Sequence, residues 1–152
     1  MMPIACGTTT RLQHYSELGY QGACKLKTVL IVEDEIFIAM EIERILQDAG
    51  YRVVAIAADQ NDALSMGHSA EVAFVDLNLR DGPTGAVIAR ELAAKHGVSI
   101  IYVTANPAQI GEPACTAIGC IRKPFTDDAI LAAAAAAAGS GHHAAHEAII
   151  RI

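Results

Sequence analysis

The sequence predicts an α/β protein built on a doubly wound parallel sheet with helices on both faces. Three observations carry this reading. Five short apolar runs, most of them rich in β-branched residues, recur along the chain. Helical or loop segments separate each run from the next. Four of the five runs end in polar residues, acids after the first and third, Thr104 after the fourth and Lys123 after the fifth. Strands alternating with helices need right-handed crossovers, which make the sheet parallel. Such sheets bind ligands beyond the carboxyl ends of their strands, so the ends of the runs are where chemistry is expected.

Taken in order, Thr28-Val29-Leu30-Ile31-Val32 reads as a buried strand ending at Glu33-Asp34-Glu35. Ile38, Ile42, Ile45, Leu46 and Ala49 then recur at helical spacing, so Ile36 to Ala49 is expected to be a helix stopped by Gly50. A second strand is expected over Val53–Ala57 and a short helix over Asn61–Gly67. Val72 to Asp76 is a third strand that again ends in an acid. Asn78 to Gly85, with Gly82-Pro83, reads as a loop, and Ala86 to His96 as a helix. Ser99 to Val103 is a fourth strand ending at Thr104. Two prolines and two glycines between Asn106 and Gly119 allow only a short helix there. Cys120-Ile121-Arg122 is a brief fifth strand ending at Lys123-Pro124. Asp127 is expected to cap a last helix over Asp128–Ala138, whose alanine run has high helix propensity.

The bulk properties exclude several classes. The 152 residues suit one domain with a real core. No apolar run reaches the ~18 residues of a membrane helix, and no targeting leader is evident at the N-terminus, so a cytoplasmic protein is expected. A net charge of -6 disfavours nucleic-acid binding. Cys6, Cys24, Cys115 and Cys120 are too few and scattered for a disulfide scaffold and read as reduced thiols. Residues 1–26 show no period and read as a flexible arm, residues 27–138 as the domain, and 139–152 as a solvated, helical tail. His142, His143 and His146 invite a metal reading through i, i+4 spacing, but they lack further ligands beyond Glu147. A redox pair of Cys115 and Cys120 is likewise weaker than two inert thiols.

The strand ends converge. Glu33, Asp34, Asp76, Thr104 and Lys123 all fall on one rim of the predicted sheet. Clustered carboxylates either raise a pKa or hold a cation, and hard oxygen donors with open positions suit Mg²⁺. A carboxylate can act as a nucleophile and form an acyl phosphate. An ammonium and a hydroxyl nearby would neutralise and orient a transferring phosphoryl group.

The segments Leu30-Ile31-Val32-Glu33-Asp34-Glu35, Val75-Asp76-Leu77-Asn78-Leu79, Val103-Thr104-Ala105 and Lys123-Pro124-Phe125 resemble the receiver domain of two-component response regulators. The resemblance implies a flavodoxin-like (βα)5 fold with strand order 2-1-3-4-5. It implies Asp76 as phosphoacceptor, with Mg²⁺ held by Glu33 (through water), Asp34, Asp76 and the backbone carbonyl of Asn78. It implies Thr104 as the switch hydroxyl and Lys123 as the phosphoryl-binding lysine, with a cis bond to Pro124. A sensor histidine kinase or histidine phosphotransfer protein is the implied donor and another protein the implied target, with homodimerisation left open. The expectation is a stand-alone receiver, not an enzyme turning over an external substrate. The alternative is a receiver-like interaction module that does not use phosphate. Dehalogenase-type phosphatases also use a strand-end aspartate, but usually carry a second one two residues on, where this chain has Asn78. The sequence departs from the family at Cys120, where receivers often carry an aromatic three residues before the lysine. Pro107, Gly111 and Pro113 also weaken the fourth helix, on a face that commonly carries signalling contacts.

Overall fold

A computed structural model describes residues 26–139 and 147–152. All of the expected arm over residues 1–26 except Leu26, with Cys6 and Cys24, and the histidines His142, His143 and His146 lie outside the described residues. In chain order the elements are β1 (Thr28–Val32), α1 (Ile36–Asp48), β2 (Arg52–Ala57), α2 (Gln60–Met66), β3 (Val72–Val75), α3 (Gly85–His96), β4 (Ser99–Thr104), β5 (Ala117–Arg122), α4 (Asp127–Ala137) and β6 (Ile149–Ile150). They form one sheet of order β2-β1-β3-β4-β5-β6. The first five strands are parallel and β6 runs antiparallel to β5. The doubly wound α/β fold with order 2-1-3-4-5 is therefore present, extended by one strand.

Strand alternation builds the two layers, because successive side chains point to opposite faces. Leu30, Val32, Ala73, Val75, Ile100 and Tyr102 pack with Ala63 of α2 and Ile88, Ala89 and Leu92 of α3. Val29, Ile31, Val72, Phe74, Ile101, Val103 and Ile121 pack with Ile42, Ile45 and Leu46 of α1 and Ala129, Ile130, Ala133 and Ala134 of α4. Burial of each large aliphatic side chain contributes about 1.5–3 kcal/mol. The alanine run thus supplies a helix face set against the sheet.

Four details differ from the sequence-based expectation. The β4–β5 connection holds only a 3₁₀ turn, Pro107–Ile110, so the described residues contain four α-helices rather than five. Asn106 before the proline is non-helical, and Gly111 follows at φ 63, so the chain leaves helical geometry on both sides of the turn. Strand β5 starts at Ala117 rather than Cys120, because Ala117 and Gly119 already pair with Ile100 and Ile101 of β4. The cap of α4 is Thr126, whose hydroxyl accepts the Ala129 N–H at 3.2 Å, and Asp127 is the first helical residue. Within the expected helical tail, Ile149–Ile150 is instead a strand on the β5 edge.

Candidate functional site

Register places the rim residues side by side. Val32 of β1 pairs with Val75 of β3, so Glu33 and Asp76 leave neighbouring strands together. The ladders run one residue further: the Asp76 N–H donates to the Val32 carbonyl at 2.9 Å, and the Glu33 N–H to the Ala57 carbonyl at 2.9 Å. Thr104 pairs with Arg122, and the Lys123 N–H donates to the Thr104 carbonyl at 3.0 Å. The Lys123–Pro124 bond is cis, as the resemblance implies.

The centre of the site is an ammonium held between two buried carboxylates. Lys123 Nζ donates to Glu33 Oε2 at 2.7 Å and to Asp76 Oδ2 at 3.0 Å. Glu33 is 2% exposed and Asp76 8%. The second Asp76 oxygen, Oδ1, accepts the Leu77 N–H at 2.7 Å, and Glu33 Oε1 accepts the Glu35 N–H at 3.2 Å. Burial pushes the Glu33 carboxyl up to about 7; the Lys123 hydrogen bond opposes this and the neighbouring Asp76 charge adds to it. For Lys123 burial alone would lower the pKa, but the bonds to Glu33 and Asp76 outweigh it and hold the ammonium above its ordinary value.

Asp34 projects into solvent from the same rim, and carboxylate oxygens of Glu33, Asp34 and Asp76 all lie within 4.8 Å of one another. An all-oxygen donor set, buried on one side and open on the other, fits a hard divalent cation such as Mg²⁺. Thr104 is 1% exposed, and its Oγ1 accepts the Asn106 N–H at 3.2 Å. Asn78 is exposed two residues beyond Asp76, its side-chain amide donating to Gln109 Oε1 at 2.9 Å. The structure thus brings Glu33, Asp34, Asp76 and Lys123 into one cluster, with Thr104 and Asn78 on the flanking strand end and loop.

Sequence reasoning missed the scaffold of the loop after Asp76. Arg80 Nε pairs with Asp59, the α2 cap, at 2.9 Å. Asp81 accepts the Gln60 N–H at 3.1 Å and the Thr84 hydroxyl at 2.7 Å. Leu79 and Gly82 exchange backbone bonds at 2.9 and 3.0 Å, with Gly82 at φ 114. Gly85 starts α3 directly over the Asp76–Leu77 backbone, and a Cβ there would lie 1.9 Å from the Asp76 carbonyl oxygen. In the sequence it reads only as the last glycine of the loop, one residue before the expected helix.

Cys120, at the position where receivers often carry an aromatic, is fully buried next to Tyr102 on β4, in the core layer that also holds Ala114. Burial pushes its thiol up to about 11. Tyr102 is core, as expected, and its hydroxyl accepts the Ala114 N–H at 3.0 Å. Cys115 is exposed, and both cysteines are free thiols. Beside Lys123 lies an open cleft of about 580 Å³ lined by Phe37, Ile38, Glu41, Lys123, Pro124 and Phe125. Phe37, on the first turn of α1, is 85% exposed. Among the described residues no helix is long and apolar enough to cross a membrane.

A doubly wound sheet with an acidic rim, a buried rim threonine and a rim lysine defines a receiver-type architecture. The chain belongs to the response regulator receiver domain family, whose model matches residues 29–135. It is 30% identical over 115 residues to the phyllosphere-induced regulator PhyR of Methylorubrum extorquens, covering 72% of this chain and 43% of that protein. A variant of the anti-anti-sigma factor PhyR from Bartonella quintana has a similar structure, with a TM-score of 0.65 and 26% identity over 84% of this chain and 56% of that one. The receiver domain of a Pseudomonas aeruginosa sensor histidine kinase, solved with a magnesium ion in its active-site cleft, matches at a TM-score of 0.65 and 27% identity over 75% and 98% of the two chains. The chain spans about half the length of the curated relatives it matches.

Proposed function

We propose that this chain is a cytoplasmic phosphorylation switch that takes a phosphoryl group from a phosphohistidine onto Asp76 and signals through protein contact. The observation that carries this reading is the Lys123 ammonium shared between Glu33 and Asp76, with Asp34 open on the same rim. An Asp76 carboxylate oxygen attacks the phosphorus, the P–N bond breaks, and the donor imidazole nitrogen leaves with the electron pair. Water later attacks the acyl phosphate, releasing inorganic phosphate and restoring the carboxylate. Catalysis of this kind rests mainly on positioning and charge neutralisation.

The chain's own residues supply both. The Leu77 N–H fixes one Asp76 oxygen and so aims the other. Lys123 neutralises the resting carboxylates and is placed to follow the charge onto the phosphoryl oxygens. Thr104 already accepts a hydrogen bond at its oxygen, so its hydroxyl hydrogen is the group it has to give to the phosphoryl group. Glu33, Asp34, Asp76 and the Asn78 carbonyl would hold Mg²⁺, which neutralises the developing charge when bound. The cleft beside Lys123 and the exposed Phe37 offer the donor protein an apolar foothold next to the nucleophile. Because Cys120 replaces a mobile aromatic, the shape change is read from Thr104 and the β4–β5 segment rather than from a swinging ring. A protein target, as for the anti-anti-sigma relative, fits the acidic net charge better than nucleic acid does.

Intact mass after incubation with Mg²⁺ and acetyl phosphate tests the reading. One hydroxylamine-labile phosphoryl adduct, absent without Mg²⁺, is expected. No adduct with either acetyl phosphate or a phosphorylated histidine phosphotransfer protein would favour the phosphate-independent interaction module.

A further inference from the structure

The edge of β5 carries a notch that fits one particular strand. Gly119 has no side chain where β6 crosses it, and a Cβ there would lie 2.7 Å from Ile149 Cγ2 and 3.0 Å from the Ile150 carbonyl oxygen. The pairing is antiparallel, Cys120 with Ile150 and Ile121 with Ile149. Ala148 and Ile149 pack on the layer that holds Ile121, Ala133 and Ala134. The ladder is only two residues long, far below the five or six of an ordinary strand, so it belongs to the low-stability end of the fold. When so short a cover strand leaves, the bared strand edge is a template for another chain, and strand addition of this kind is a general mode of recognition.

We propose that the β5 edge is a strand-addition site and that its partner in trans is the Ile149–Ile150 strand of a second copy of this chain. Gly119 leaves the room that Ile149 and the Ile150 carbonyl fill, so the occupant inferred is the chain's own strand, donated reciprocally. Exchange of an identical element between protomers forms a dimer from contacts the monomer already makes. Ile118 of β5, Ile150 of β6 and Ile152 beyond it are exposed apolar side chains. The inference does not depend on chemistry at Asp76.

Complementary variants of the full chain test it. Gly119→Val blocks the acceptor edge but leaves the donor strand intact; Gly119→Ala is a milder version should the valine impair folding. Ile149→Asp spoils the donor strand but leaves the acceptor edge. In each variant alone, amides of β5 are expected to exchange at least tenfold faster than in the wild type, and each is expected to run as a single 16.0 kDa chain. An equimolar mixture is expected to give a 1:1 complex of twice that mass, with β5 protection restored in the Ile149→Asp partner. A mixture that stays at the mass of one chain at high micromolar concentration, with both variants folded, would overturn the proposal. Unchanged β5 exchange in Ile149→Asp would also overturn it, because β6 would then contribute no pairing.

Discussion

Replacing Lys123 with methionine keeps most of the length of the side chain and removes its charge. Glu33 and Asp76, both nearly buried, would then face each other with carboxylate oxygens within 4.8 Å. At an effective dielectric near 20, two such charges repel by about 3.5 kcal/mol, in line with the roughly 3–5 kcal/mol lost when one member of a buried ion pair is removed. For a domain of this size that corresponds to a fall in Tm on the order of 10 °C. The pH dependence has a definite sign. Glu33 has a folded pKa of about 7 against an ordinary 4.5, so the folded state binds the extra proton and stability falls as pH rises between those values. Without the lysine the Glu33 pKa rises further, so the loss deepens towards pH 8 and shrinks towards pH 6. Mg²⁺ replaces the missing positive charge and should restore more stability to Lys123→Met than to the wild type. Thermal unfolding of both proteins at pH 6 and pH 8, in chelator and in Mg²⁺, reads all three effects. A metal-free variant within about 1 kcal/mol of the wild type at pH 8 would refute the electrostatic account of the site.

Other consequences concern the loop, the metal and the thiols. Gly85→Ala forces a methyl to 1.9 Å from the Asp76 carbonyl and 2.6 Å from Leu77 Cα; an overpacking cost near the upper end of about 1–3 kcal/mol and slower phosphorylation are expected, measured by denaturant unfolding and adduct formation. Mg²⁺ affinity should fall as pH drops below about 7, because Glu33 then carries a proton that the cation must displace; titration calorimetry at pH 6 and pH 8 showing equal affinity would count against this. Thr126→Ala should lose about 1 kcal/mol by removing the α4 cap, read from the unfolding midpoint. At pH 8 iodoacetamide should alkylate Cys115 in the native protein and spare Cys120, which is buried with its thiol pushed up to about 11; peptide mapping that finds both equally labelled contradicts the buried assignment.

The rim was legible in the sequence because strand ends are local: a short apolar run ending in an acid, a threonine or a lysine fixes both the residue and its edge. The strands themselves were legible as short buried apolar runs for the same reason. What was not legible depends on neighbours far along the chain. Asp127 and Thr126 are both good caps by type, and only the extended backbone at Thr126 decides between them. The β5 start was hidden by Gly119, whose reason for being small is a strand some thirty residues later. Ile149–Ile150 is too short to show a period, and its strand exists only because β5 offers an edge. Gly85 reads as an ordinary loop glycine until α3 is seen crossing the Asp76–Leu77 backbone. The Arg80–Asp59 and Asp81–Gln60 ties join loops about twenty residues apart and leave no pattern in either loop alone.

The claim that Asp76 is the phosphoacceptor is tested most directly by trapping the acyl phosphate. Borohydride reduces an aspartyl phosphate to homoserine while leaving a free aspartate unchanged. After phosphorylation in Mg²⁺, reduction and digestion, the peptide spanning Val75 to Leu79 is expected to carry homoserine at position 76, and to carry none when Mg²⁺ is omitted. Homoserine at another aspartate, or at none despite a stable phosphoryl adduct on the chain, would contradict the account.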